Sequence, residues 1–257
     1  MAIPLNFKIQ GSGDPVVILH GFLGSLDNWQ TFAKDLANHH MVITADQRNH
    51  GRSPHTSDFS LDLMAEDLHQ LMENEWIHTA TIIGHSMGGK TAMQFAMTYP
   101  DMVEKLVVLD ITPRKYEAAH IGILNALNQV PIEQISNRFE ADSILANDIS
   151  EYNIRQFLLK NLKRNDLGFE WKMNLQVLTE QYDSILKPIK TEHPYQGPAL
   201  FIGGSESKYV QEEDLPEILR LFPMANMVTI DEAGHWLHVD QPHILLKTVL
   251  DFIQKSQ

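Results

Sequence analysis

Six short apolar runs punctuate the chain, at residues 16–19, 41–46, 80–84, 103–110, 199–203 and 227–230. They are short, rich in β-branched side chains and mostly apolar on both faces, the pattern of strands covered on two sides. Leu5, Phe7 and Ile9 alternate with other residues instead, which predicts an antiparallel edge strand at the start. Between the runs the period changes. Met64, Leu68, Leu71 and Met72 fall at i, i+4, i+7 and i+8, and Leu246, Val249, Leu250 and Ile253 at i, i+3, i+4 and i+7, so both stretches read as amphipathic helices. Pro242 near the first turn of the second is a good start signal. Strands alternating with helices predict an α/β fold with a mostly parallel, doubly wound sheet.

The alternation breaks once. Between residues 112 and 197 no convincing strand is visible, and the segment reads as helical, most clearly at 121–130 and 152–162. That is too long for a bare loop. The expectation is a core made of residues 1–111 and 198–257, with 112–197 inserted as a helical cap over the carboxyl edge of the sheet, where open α/β sheets bind ligands.

Composition narrows the chemistry. The 257 residues contain no cysteine, which removes disulfides, thiol nucleophiles and thiolate metal sites. A formal charge of −13 and the lack of a basic stripe argue against nucleic acid. The first ten residues lack a basic start and an apolar core, and no apolar run approaches the ~18 residues of a membrane span. A soluble cytoplasmic protein is the expectation.

The richest stretch is Gly84-His85-Ser86-Met87-Gly88-Gly89, a G-x-S-x-G pattern directly after a predicted strand and before a helix expected to run to Pro100. A serine hydroxyl must stand clear of the backbone and within reach of a base to act as a nucleophile. A sharp strand-to-helix turn does this, and its flanking positions must be small. The helix that follows points free N–H groups at a developing oxyanion, so Met87 N–H is one expected donor. The turn His20-Gly21-Phe22-Leu23-Gly24 after the run 16–19 should supply the second, from Phe22 N–H.

Thirteen histidines compete for the role of base. His235 lies after the last predicted strand and ahead of the final helix, where it can face Ser86. A zinc reading of His235 and His238 lacks further ligands at suitable spacing, so no metal and no cofactor is expected. Two carboxylates keep the order Ser, acid, His. Asp110 ends an apolar strand, where a charge is costly without a partner, and is the expected acid. Glu206, in the loop after 199–203, is the alternative. Asp46 is expected to brace the turn Arg48-Asn49-His50-Gly51-Arg52-Ser53.

Together these residues resemble a serine-type α/β-hydrolase. The motifs span nearly the whole chain: His20-Gly21, Asp46-x-Arg48-x-His50-Gly51-x-Ser53, the Ser86 turn, Asp110 and Gly234-His235-Trp236. In detail the sequence is similar to the small bacterial YbfF-type esterases. The family commonly carries its acid in a G-x-x-D pattern after the strand corresponding to 199–203. Ser207 stands there in this chain, and the YbfF-type resemblance favours Asp110 instead. The resemblance implies hydrolysis of carboxylic esters or acyl-CoA thioesters through an acyl-enzyme, without a cofactor.

Other chemistries share parts of this apparatus. Haloalkane dehalogenases and epoxide hydrolases of the fold need an aspartate where Ser86 stands. Carbon–carbon hydrolases, perhydrolases and a menaquinone-pathway lyase use the same triad, and a non-catalytic binding protein could keep the fold. Among apolar residues of the inserted segment, Ile121, Leu124, Phe157, Leu158, Trp171 and Leu175 are expected either to line an acyl pocket or to pack the cap. His20 and Trp236 are further candidates for substrate contact. Arg114, Lys115 and Lys208 are the candidate cations for a CoA leaving group.

Overall fold

The computed structural model describes residues 1–166 and 168–255. Among the described residues nine strands are present: β1 Phe7–Gln10, β2 Pro15–Leu19, β3 Met41–Ala45, β4 Ala80–His85, β5 Val103–Leu109, β6 Leu162–Asn165, β7 Gly168–Trp171, β8 Ala199–Gly204 and β9 Ala225–Ile230. Seven form one sheet in the order β1-β3-β2-β4-β5-β8-β9. Only β1 runs antiparallel, along the edge beside β3, as its alternating pattern predicts.

The two-residue period of the strands divides the core into two faces. Val16, Ile18, Ile83, Val107 and Leu109 point to one side, against Trp29, Phe32, Leu36, Leu245 and Val249 of the flanking helical segments. Val17, Leu19, Ile82, Leu106 and Val108 point to the other, toward helices Leu61–Asn74 and Met87–Thr98. Burial on both faces is why β2, β4, β5 and β8 carry few polar residues.

Between β5 and β8 the chain forms helices Ile121–Gln129, Arg138–Leu145, Tyr152–Leu159, Leu175–Glu180 and Asp183–Leu186. It also forms a hairpin, β6 with β7, where no strand is expected from the sequence. The hairpin is held by cross-strand pairs that its residues offer only once they are opposed. Lys163 meets Glu170 at 2.9 Å, and the Arg164 guanidinium lies over the Phe169 ring. The helix expected over 152–162 therefore ends at Leu159, where the Asn161 side chain donates to the Leu158 carbonyl and reaches the Leu23 carbonyl at 2.8 Å. That last bond ties the inserted segment to the turn after β2.

Candidate active site

β4 ends at His85 and helix Met87–Thr98 starts two residues later, leaving Ser86 between them with φ +53°. A positive φ is strained for a serine and costs about 1–3 kcal/mol. The packing around the turn enforces it. An added Cβ at Gly84 would lie 2.2 Å from the Gly88 carbonyl oxygen, and one at Gly88 2.4 Å from the Leu19 carbonyl oxygen. Only glycine lets strand, turn and helix close on one another here. Ser86 N–H donates to the Leu109 carbonyl at 3.0 Å, so the turn is also fastened to the end of β5.

The turn after β2 comes equally close. A Cβ at Gly21 would meet His85 Nδ1 at 2.9 Å and Ser86 Cβ at 3.3 Å. This brings the turn that carries Phe22 against the serine. Among the described residues neither Phe22 N–H nor Met87 N–H donates a hydrogen bond, so both are free for an incoming oxygen. His20, proposed from sequence as a substrate contact, is instead buried and committed to this turn. Its Nδ1–H donates to the Gly21 carbonyl at 2.8 Å, and its Nε2 accepts from Gln47 N–H at 3.0 Å. His50, which the sequence places in the turn braced by Asp46 without a role of its own, accepts from Leu23 N–H at 3.2 Å. Asp46 accepts from Leu26 N–H, Arg52 N–H and the Asn6 side chain, bracing the loop as expected.

On the next strand, Asp110 follows β5 with φ +50° and is fully buried. Its carboxylate accepts from His235 Nδ1–H at 2.7 Å, from Gly204 N–H at 3.2 Å and from the Ser207 hydroxyl. Three donors make a buried carboxylate tolerable. Ser207, where the resemblance leads to the expectation of an aspartate, donates instead to the carboxylate that follows the neighbouring strand. Glu206, the alternative acid, is exposed, and its backbone N–H bonds to the Ala233 carbonyl.

His235 is held by its ring and by its backbone. Tyr209 stacks on its ring with centroids 4.1 Å apart, and His85 Nε2–H donates to its carbonyl at 2.8 Å. That carbonyl can only accept, so His85 keeps its proton on Nε2. Burial, reinforced by the neighbouring His235 and His238, holds the His85 pKa well below the usual histidine range. Neither Tyr209 nor His85 was singled out as a partner of His235 in the sequence, because no local pattern joins them to residue 235.

Ser86 and His235 open onto one cavity of about 720 Å³. Among the described residues the Ser86 hydroxyl makes no hydrogen bond; such contacts are often loose without substrate. Phe157 and Trp236 form part of the cavity wall and pack on one another at 5.3 Å. Leu124 and Trp171 do not reach it. Leu124 is buried in the core under the helices, its neighbour Ile123 facing the cavity instead, and Trp171 packs on the core from β7. Among the described residues no group of three His, Asp or Glu side chains could hold a metal ion.

Residues 14–242 match the family described as the alpha/beta hydrolase fold. The chain belongs to the α/β-hydrolase family. This α/β-hydrolase is 38% identical over 245 residues to Esterase YbfF of Escherichia coli (strain K12), covering 95% of this chain and 94% of that protein. It is 39% identical over 252 residues to the sn-1-specific diacylglycerol lipase ABHD11 of Xenopus laevis, covering 95% of this chain and 81% of that one. A marine microorganism esterase of known structure shares 42% identity and a TM-score of 0.96, over 98% of this α/β-hydrolase and all of that chain. No described helix is long and apolar enough to cross a membrane.

Proposed function

We propose that this protein is a serine esterase in which Ser86 is the nucleophile, His235 the base and Asp110 the orienting acid. The observation that carries the reading is the 2.7 Å bond from His235 Nδ1–H to the buried Asp110, with His235 and the strained Ser86 lining one cavity. That bond fixes the tautomer, leaving Nε2 free to take a proton, and Asp110 stabilises the imidazolium that results. His235 removes the Ser86 proton as Oγ attacks the acyl carbonyl. Phe22 N–H and Met87 N–H receive the oxyanion. The ester C–O bond breaks, His235 returns the proton to the departing alcohol, and water activated by the same ring releases the acid.

Residues 112–197 act in this reading as a cap, since Ile123, Ile154, Phe157 and Leu158 line the same cavity as Ser86. The esterase and lipase names of the relatives support an oxygen ester as substrate. A CoA thioester would undergo the same steps, yet its expected cations do not line the large cavity. Arg114 is paired with Asp214 at 2.9 Å and lies over the Tyr116 ring, and Lys115 and Lys208 are exposed elsewhere.

Ser86→Ala should lower turnover of p-nitrophenyl butyrate by on the order of 10⁴–10⁶-fold, because the triad acts as a unit. A fluorophosphonate probe should label wild-type Ser86 and leave the variant unmarked. Near-normal turnover by the variant, or a wild-type serine inert to the probe, rejects the mechanism.

A further inference from the structure

Ser86 faces two cavities. Besides the large one, it borders a small cavity of about 30 Å³, walled by Ile111, Tyr116, Ile185 and Leu186. Four residues border both: Phe22, Ser86, His120 and Tyr209. They form a waist, with the serine in it, between unequal chambers. His120 is fixed there by a 2.6 Å hydrogen bond with the Tyr182 hydroxyl, and Tyr182 in turn stacks on Phe22 at 5.0 Å.

His235 borders the large chamber and not the small one. In the proposed mechanism the leaving oxygen must take its proton from His235, so the leaving group has to lie on the side where that ring is. The acyl group, bonded to the same carbon, then points the other way. We infer that the small chamber is the acyl site and the large one the leaving-group site, so the substrates are esters of short acids with bulky, apolar alcohols. This deepens the esterase reading and rests on it.

Size and polarity agree. A volume near 30 Å³ accommodates about two or three heavy atoms when ~10–15 Å³ suffices for a water, which limits the acid to roughly acetate through butyrate. The large chamber is ample for a drug-sized group, for which ~300–1,000 Å³ is typical, and it is faced by Ile154, Phe157, Leu158, Trp236 and Val239. After the alcohol departs, the emptied chamber gives water a direct approach to His235 for deacylation.

The small chamber is also closed to a second carboxylate. Lys90 borders it, but its ammonium donates to the carbonyls of Pro113, Arg114 and Lys187 at 3.2, 2.6 and 2.9 Å, which uses all three protons. Glu117 on the same wall adds repulsion. Esters of dicarboxylic acids should therefore be poor substrates.

The test uses two ester series with the wild-type enzyme. In the first, the leaving group is p-nitrophenol and the acid lengthens from acetate to decanoate. In the second, the acid is acetate and the alcohol lengthens from butyl to decyl, followed by proton release. The inference expects kcat/KM to fall at least tenfold between butyrate and octanoate in the first series, and to hold or rise in the second. A flat or rising acyl series, or a second series that collapses with alcohol length, overturns it. Ile185→Ala and Leu186→Ala, made separately, should each raise the octanoate-to-acetate ratio about fivefold or more. Because that ratio is internal, loss of folded protein does not mimic the gain, and unchanged ratios in both variants count against the assignment. If Ser86 takes the fluorophosphonate while the series run in reverse, only the orientation fails. If no ester in either series turns over and Ser86 stays unlabelled, the esterase reading itself fails.

Discussion

At the scale of single residues, two strained positions lie side by side at the ends of adjacent strands: Ser86 after β4 and Asp110 after β5, both with positive φ. The sequence signals for them differ in kind. The serine is marked by its glycines, whose necessity is steric and local. The aspartate is marked by cost, since a charge closing the apolar strand Val103–Leu109 demands a partner. What the chain does not advertise is who the other partners are. Ser207 reaches Asp110 across 97 positions and Tyr209 stacks on His235, and such contacts exist only after β5, β8 and the loop after β9 are adjacent. The two carboxylates kept open by sequence make a clean contrast. Asp110→Asn should lower kcat for p-nitrophenyl acetate by on the order of 10³–10⁴-fold, because an amide that donates to Nδ1 favours the wrong tautomer. Glu206→Gln, at an exposed side chain, should stay within about twofold of wild type. Equal losses in the two variants would remove Asp110 from its proposed role.

At the scale of elements, β2, β3, β4, β5 and β8 were legible because they are covered on both faces and so are mostly apolar at consecutive positions, while β1 was legible from its alternation and β9, largely uncovered, from a short apolar run. The hairpin β6–β7 was not, since each of its strands has four residues and a mixed pattern whose meaning lies in the opposite strand. Lys90 is a similar case. A lysine in the first turn of a helix reads as a surface residue, yet this one is 1% exposed. Burial lowers its pKa to about 7, with the Arg114 charge adding to the effect. Its three bonds gather Pro113 and Arg114, where the chain leaves β5, and Lys187, where it returns toward β8. One ammonium therefore fastens both ends of the inserted segment to the helix behind Ser86. Lys90→Met should cost about 3 kcal/mol or more, because three carbonyls lose their donor in a buried site. Urea unfolding at pH 6 measures this directly, and an unshifted midpoint would show that water replaces the lysine without loss.

At the scale of the whole molecule, the histidines that the sequence leaves indistinguishable are sorted by burial. Burial depresses the pKa of His50 to about 3, with His20 contributing, and those of His120 and His238 to about 4, with His235 contributing. All three are therefore neutral in the folded protein at pH 6, whereas in the unfolded chain a histidine titrates near 6.5. As pH falls below that value the unfolded chain binds protons that the folded one refuses, so stability declines with falling pH. Each group contributes a slope approaching about 1.4 kcal/mol per pH unit, and His85 and His20, which burial lowers in the same way, add to it. Protonation of carboxylates relieves some of the repulsion within a chain of charge −13, but mostly below pH 5, so the window from 6.5 to 5 isolates the histidines. The urea midpoint should fall steeply between pH 7 and pH 5, and a flat profile would mean that these rings reach water. His238 gives the sharper check. It stacks on Trp29 at 4.3 Å, and its Nδ1 is buried without a hydrogen-bond partner among the described residues. Phenylalanine can take over the stacking and forfeits no Nδ1 bond. His238→Phe should therefore keep its stability at pH 7 and lose up to about 1.4 kcal/mol per pH unit of the acid slope, the share of one histidine. A slope left intact would assign the proton uptake to other groups.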